Sequence, residues 1–132
     1  MGREFNLSQS FYPGKEAWYA SDSRTSHYSA VFEDDGETAY FYAYDRGNEG
    51  RVLDTIHIYN VSSVVDRDRE SVAEIIWTTD GLKAVLLING SPHGAIDFAE
   101  RCSYSRSEFP SAPSDWRRAA WNEELIRLFL TQ

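Results

Sequence analysis

The residues of this chain most able to do chemistry fall in one stretch, VLLINGSPHGAIDF, from Val85 to Phe98. It holds Ser91, His93 and Asp97, and Cys102 follows closely. A serine nucleophile on an elbow needs G-x-S-x-G at a strand-to-helix turn. Here Ser91 directly follows Gly90 and the residues after it read as a strand, so motif and context both fail. His93 and Asp97 are four residues apart, which puts both side chains on one face of a strand. Their Cα atoms would then lie about 13 Å apart at the usual rise per residue. A direct histidine–carboxylate pair would need a bend at Gly94. A cysteine nucleophile needs a histidine that lowers its thiol pKa. Cys102 has no local signature with His27, His57 or His93, and is expected to be a structural thiol. The three histidines are dispersed without C-x-x-C, H-E-x-x-H or H-x-x-x-H spacing, so no metal is expected. No Walker or Rossmann glycine pattern occurs, so no cofactor is expected. The stretch is expected to hold a core strand, a corner shaped by Gly90 and Pro92, and a short return strand. His93 then remains a loop-exposed contact residue.

With catalysis unsupported, binding chemistry carries more weight. In TAYFYAY, period two sends Tyr40, Tyr42 and Tyr44 to one side and Ala39, Phe41 and Ala43 to the other. In IHIY, Ile56 and Ile58 oppose His57 and Tyr59. If Phe41 and the isoleucines face a covering helix, the three tyrosines, His57 and Tyr59 line the opposite face. Such side chains have an apolar body and a polar tip, which suits an interface. Trp18, Trp77, Trp116 and Trp121 are expected in the core, the usual use of a large aromatic.

Charge points the same way. The chain has 132 residues and a net charge of −8. The acids concentrate in the first half, around Glu33, Asp34, Asp35, Glu37, Asp45, Glu49 and Asp54. That field repels phosphate backbones and disfavours nucleic acid. It steers a basic protein toward the chain. Asp34, Asp35 and Glu37 lack the alternate spacing of a calcium loop and read as a charged hairpin tip available for contact. No apolar run approaches the length of a membrane helix. The lone cysteine and the absence of a signal-like N-terminus lead to the expectation of a cytoplasmic protein.

The elements that would position these residues are mostly strands. Glu16–Ala20, His27–Glu33, Thr38–Tyr44, Val52–Val61, Glu74–Thr79, Lys83–Asn89 and Gly94–Ala99 alternate or are β-prone. Asp35-Gly36 and Asp80-Gly81 sit between such runs and predict hairpins with type I′ turns. The two hairpins match at a constant offset, but tight-turn physics alone explains that. Asp66–Glu70 reads as a solvated loop and Ser103–Ser114 as irregular. The C-terminus is the one clear helix, capped at Ser114 or Asp115, with a stripe of Trp121, Leu125, Leu128 and Phe129 widened by Ile126 and Leu130. The expected architecture is one α+β domain over residues 1–132. It is an antiparallel sheet of about five to seven strands with the C-terminal helix packed on one face.

The segments WTTDGLKAVLLINGSPHGAIDF, FEDDGETAYFYAYD and LDTIHIYNV resemble a family of small bacterial proteins known only as a domain of unknown function. That resemblance covers about half the chain and implies a bacterial, cytosolic protein. It carries no catalytic residue. Gly94 stands where a bulkier residue would be expected, so the local turn is expected to differ. Size, charge and the aromatic face lead to the expectation of a non-enzymatic protein-binding module, such as an immunity protein or antitoxin-like inhibitor of a basic toxin. The candidate contact residues are Tyr40, Tyr42, Tyr44, His57, Tyr59, His93, Asp34, Asp35 and Glu37. The alternatives are a small-molecule or enzymatic domain with a pocket between sheet and helix, and a homodimer through the aromatic face.

Overall fold

The structure is a computed structural model that describes residues 7–47, 50–107 and 114–132. It is α+β, and its strands form two sheets. The strands are β1 (Leu7–Phe11), β2 (Ala17–Asp22), β3 (Tyr28–Asp34), β4 (Thr38–Asp45), β5 (Arg51–Asn60), β6 (Ser71–Trp77), β7 (Lys83–Ile88), β8 (Ser91–Asp97), β9 (Cys102–Ser105) and β10 (Arg117–Ala119). The helix α1 spans Glu123–Thr131. One sheet has the order β1-β6-β7-β8-β9-β10 and the other β2-β3-β4-β5. All pairings are antiparallel except β9 with β10.

The sheets face each other across one apolar core. Ala39, Phe41 and Ala43 of β4 and Ile56 and Ile58 of β5 meet Ile75 and Trp77 of β6, Leu86 of β7 and Ile96 of β8. Phe41 and the isoleucines therefore face the second sheet and not a helix. Burying each such side chain contributes about 1.5–3 kcal/mol. Gly94 belongs to this layer. A Cβ there would stand 3.1 Å from Ile58 Cδ1 and 3.4 Å from Phe41 Cδ2, so its lack of a side chain lets the sheets approach.

The helix covers the outer face of the six-stranded sheet. Ile126 and Phe129 pack on Val85, Leu87, Ala95, Cys102 and Tyr104. It begins later than the sequence suggests. Asn122 is the N-cap, and its side chain accepts from Leu125 N at 3.1 Å. Ser114 instead accepts from Trp116 N and donates to Asp54, ahead of β10. The buried stripe is also rotated. Leu128 is 56% exposed while Ile126 is fully buried.

The turns follow the glycines, though in ways the dipeptides alone do not dictate. In the β3–β4 turn only Gly36 has positive φ, Asp35 N donates to Thr38 O and Thr38 N donates to the Asp35 side chain, so the type I′ pattern expected at Asp35-Gly36 is not formed. In the β6–β7 loop, too, only Gly81 is left-handed. The type I′ pattern occurs at Asn89-Gly90, where φ is 51° and 84°, and it joins β7 directly to β8. The expected corner is thus a two-residue hairpin, and His93 lies on a strand.

Candidate functional site

The outer face of the four-stranded sheet gathers most of the residues singled out in the sequence. Register puts Trp18, Glu33, Tyr40 and His57 in one cross-strand row, and Ala20, Val31, Tyr42 and Thr55 in the next. Tyr44 follows between Ser29 and Val52. The rings of Tyr40 and Tyr42 stack with centroids 5.9 Å apart, and Tyr40 lies 5.8 Å from the His57 ring. The Tyr42 hydroxyl donates to Glu33. Burial, then the bonded and like-charged Glu33 carboxylate, push the Tyr42 phenol well above its ordinary value. His57 Nε2 is 2.9 Å from Asn60 Oδ1, which fixes the ring. The His57 carbonyl accepts from Ser105 Oγ and Ser107 Oγ, so the edge of β5 is sealed against β9.

Two candidates leave this face. The β4–β5 register shifts between Ala39 and Tyr40, so Tyr59 pairs with the core residue Ala39 while His57 pairs with Tyr40. This bulge turns Ile58 and Tyr59 both inward. Strict alternation, which puts Tyr59 beside His57, does not survive it. Tyr59 instead donates to Asp34 Oδ2 at 2.6 Å. Asp34 also accepts from Gly14 N through Oδ2 and from Gly36 N through Oδ1, each at 2.8 Å. The Asp34 carboxylate is buried and fully engaged, and is not a surface contact. Burial, and then this bond to Asp34, raise the Tyr59 phenol.

Asp35 and Glu37 stay exposed at the β3–β4 tip. Asp35 Oδ1 accepts from Thr38 N at 2.8 Å and Glu37 N at 2.9 Å, bonds that hold its carboxyl below the ordinary range. Beside it lies a shallow cleft of about 340 Å³ lined by Glu16, Ala17, Trp18, Glu33, Asp34 and Asp35. Trp18, expected in the core, is 61% exposed here. A signal was present: on β2, Trp18 shares its face with Asp22, and acids are rarely fully buried.

His93 sits at the far end of the sandwich. It falls where β8 shifts register against β7, between Pro92 and Gly94. It lines a cleft of about 300 Å³ with Phe11, Tyr59, Val64, Val65 and Asn89. His93 Nδ1 is 2.8 Å from Ser91 O, and burial lowers its pKa. Asp97 is turned to its own turn, accepting from Glu100 N. Histidine and carboxylate thus have separate partners, as their spacing on an extended strand requires. Cys102 is buried under the helix. Among the described residues, no three His, Cys, Asp or Glu side chains gather as metal ligands, and no helix is long and apolar enough to cross a membrane.

Residues 11–130 match the family described as "Uncharacterized protein conserved in bacteria (DUF2251)". This chain belongs to that family. An uncharacterized protein of Haemophilus influenzae is similar to this DUF2251 chain, at 43% identity over 95 residues that cover 70% of the chain and 59% of that protein. The chain spans well under two thirds of that relative's length. No solved structure matches this DUF2251 chain. The face built by Trp18, Glu33, Tyr40, Tyr42 and His57 therefore has to be read from its own chemistry.

Proposed function

We propose that this chain is a non-enzymatic protein-binding module that holds a basic protein on the outer face of its four-stranded sheet, as an immunity protein or antitoxin-like inhibitor would. The observation that carries this reading is the row Trp18–Glu33–Tyr40–His57, with Tyr42 beside it and the acids Glu16, Asp35 and Glu37 at its end. A sheet face of this kind offers rigid aromatic anchors beside negative charge. Aromatic anchors supply most of the energy at protein interfaces, and complementary charge supplies orientation and encounter rate. The −8 charge of the chain favours a basic partner.

The test pairs the purified chain with the products of genes adjacent to its own, and asks for protection on co-expression with any that is toxic. Trp18→Ala and Tyr42→Ala should each weaken the complex by about 2 kcal/mol or more. Trp18→Ala should leave the free chain as stable as before, because that ring is mostly exposed. Absence of any bound neighbour and of any protection would sink the proposal. Sedimentation that shows a dimer lost on Trp18→Ala would replace it with self-association through the same face.

A further inference from the structure

A cleft of about 450 Å³ is lined by residues of the four-stranded sheet and of the loops of the six-stranded sheet. One wall comes from the four-stranded sheet and carries Asp45 and Arg51. The other carries Arg101, from the turn between β8 and β9, and Asp115, ahead of β10. The aromatic part of the lining is fixed. Phe98 stacks on Tyr28 with centroids 4.5 Å apart, stacks on Trp77 at 5.6 Å, and meets Trp116 edge-on at 5.8 Å.

Two observations set this cleft apart from an ordinary charged rim. First, the opposite charges around it do not neutralise one another. Among the described residues, Arg51, Arg101 and Asp115 have no side-chain hydrogen bond or ion pair. Asp45 turns to its own loop, accepting from Gly47 N at 2.8 Å with His27 Nε2 at 3.5 Å. Second, Arg101 has φ of +52°. Of the two non-glycine residues with positive φ among those described, Asn89 is a type that tolerates it and Arg101 is not. A glycine would fill that turn without strain. Strain held at one of the two residues that bring a guanidinium to the cleft points to a role for that side chain.

We propose that this cleft binds a free amino acid with an apolar or aromatic side chain. Its carboxylate is taken by Arg51 and Arg101, whose planar forks match carboxylate geometry. Its ammonium is taken by Asp115 and by the negative ring face of Trp116. Its side chain lies against Trp116, Val52 and Leu53. The volume falls in the range of small-molecule sites. A ligand of single charge would satisfy half the groups and leave the others unpaired. The proposal concerns a different region from the aromatic face and stands apart from the protein-binding reading.

The full-length chain, labelled with nitrogen-15, is titrated with each of the twenty L-amino acids while backbone amide shifts are followed. For L-phenylalanine, 3-phenylpropanoate and 2-phenylethylamine serve as the analogues that lack one charge. The corresponding pair is used for whichever amino acid binds tightest. The expected result is a saturable shift centred on Arg51, Arg101 and Trp116, with each analogue weaker by about tenfold or more. Arg101→Gly removes the guanidinium and the strain together. It should melt no lower than the parent and bind about tenfold more weakly. Arg51→Ala provides a second variant at an exposed position. Three results would overturn the proposal: no saturable shift with any amino acid, equal affinity for the zwitterion and its analogues, or unchanged affinity in both arginine variants.

Discussion

Removing the Tyr59 hydroxyl should destabilise the fold through Asp34. The Asp34 carboxylate holds three donors, Gly14 N, Gly36 N and Tyr59 OH, at 2.8, 2.8 and 2.6 Å. It thereby ties the β1–β2 loop, the β3–β4 turn and the end of β5 together. Hydrogen bonds to a charged acceptor contribute about 1.5–3 kcal/mol each. Tyr59→Phe removes one of them and leaves both backbone donors bonded, so its cost should be about 1.5–2 kcal/mol. For a chain of this size that lowers the melting midpoint by roughly 5–8 °C. Asp34→Asn is worse, because one oxygen becomes an N–H₂ group facing a backbone N–H, and about 2–4 kcal/mol is expected. The two losses share a bond, so the double variant should recover about 1 kcal/mol relative to their sum. Urea unfolding of the parent, the two single variants and the double variant measures all of this. The pH dependence gives a second reading. The folded Tyr59 phenol lies above its unfolded value, so its contribution is complete below about pH 10 and is lost as pH rises beyond it. Tyr59→Phe should flatten the alkaline limb of the stability profile. A Tyr59→Phe variant within about 0.5 kcal/mol of the parent, with an unchanged alkaline limb, would refute the reasoning.

Other consequences are simpler to check. Burial depresses the folded His93 pKa, so protonation favours the unfolded chain, and stability should fall as pH drops below about 6.5; His93→Gln should remove part of that slope in thermal melts between neutral and mildly acid pH. Gly81→Ala should cost about 2 kcal/mol or more, since its φ is +71° and a Cβ would collide with the hydroxyls of Ser23 and Thr25. Those hydroxyls donate to Gly81 O and Asp80 O, so chemical denaturation of Gly81→Ala reports on how the β2–β3 loop grips the β6–β7 hairpin. On the helix, Ile126→Ala should cost about 2–4 kcal/mol while Leu128→Gln stays near zero, and equal effects at the two positions would contradict the packing described.

Much of the secondary structure was legible because tight turns and alternation are local. TAYFYAY reads as a strand with its tyrosines on one side, and β4 has that orientation. Lys83–Asn89 and Thr38–Tyr44 fall within a residue of their strands. β1, β9 and β10 were not legible. They are short and polar, and they pair only because longer strands beside them offer free edges. The spacing of His93 and Asp97 already argued against a catalytic pair, and the hairpin at Asn89-Gly90 keeps the strand extended.

Period two specified which residues of each strand share a face, because side-chain direction follows from the backbone alone. It could not specify what each face meets. Whether Phe41 lies under a helix or under a second sheet depends on how the strands divide between two sheets, a choice made by pairings between residues far apart in the chain. The bulge that turns Tyr59 from the surface to Asp34 is a register shift between two strands, and neither strand contains it alone. Trp18 is exposed for the same reason. Asp22 on the same face of β2 hints at a polar side, but the packing of the two sheets is what leaves that side uncovered.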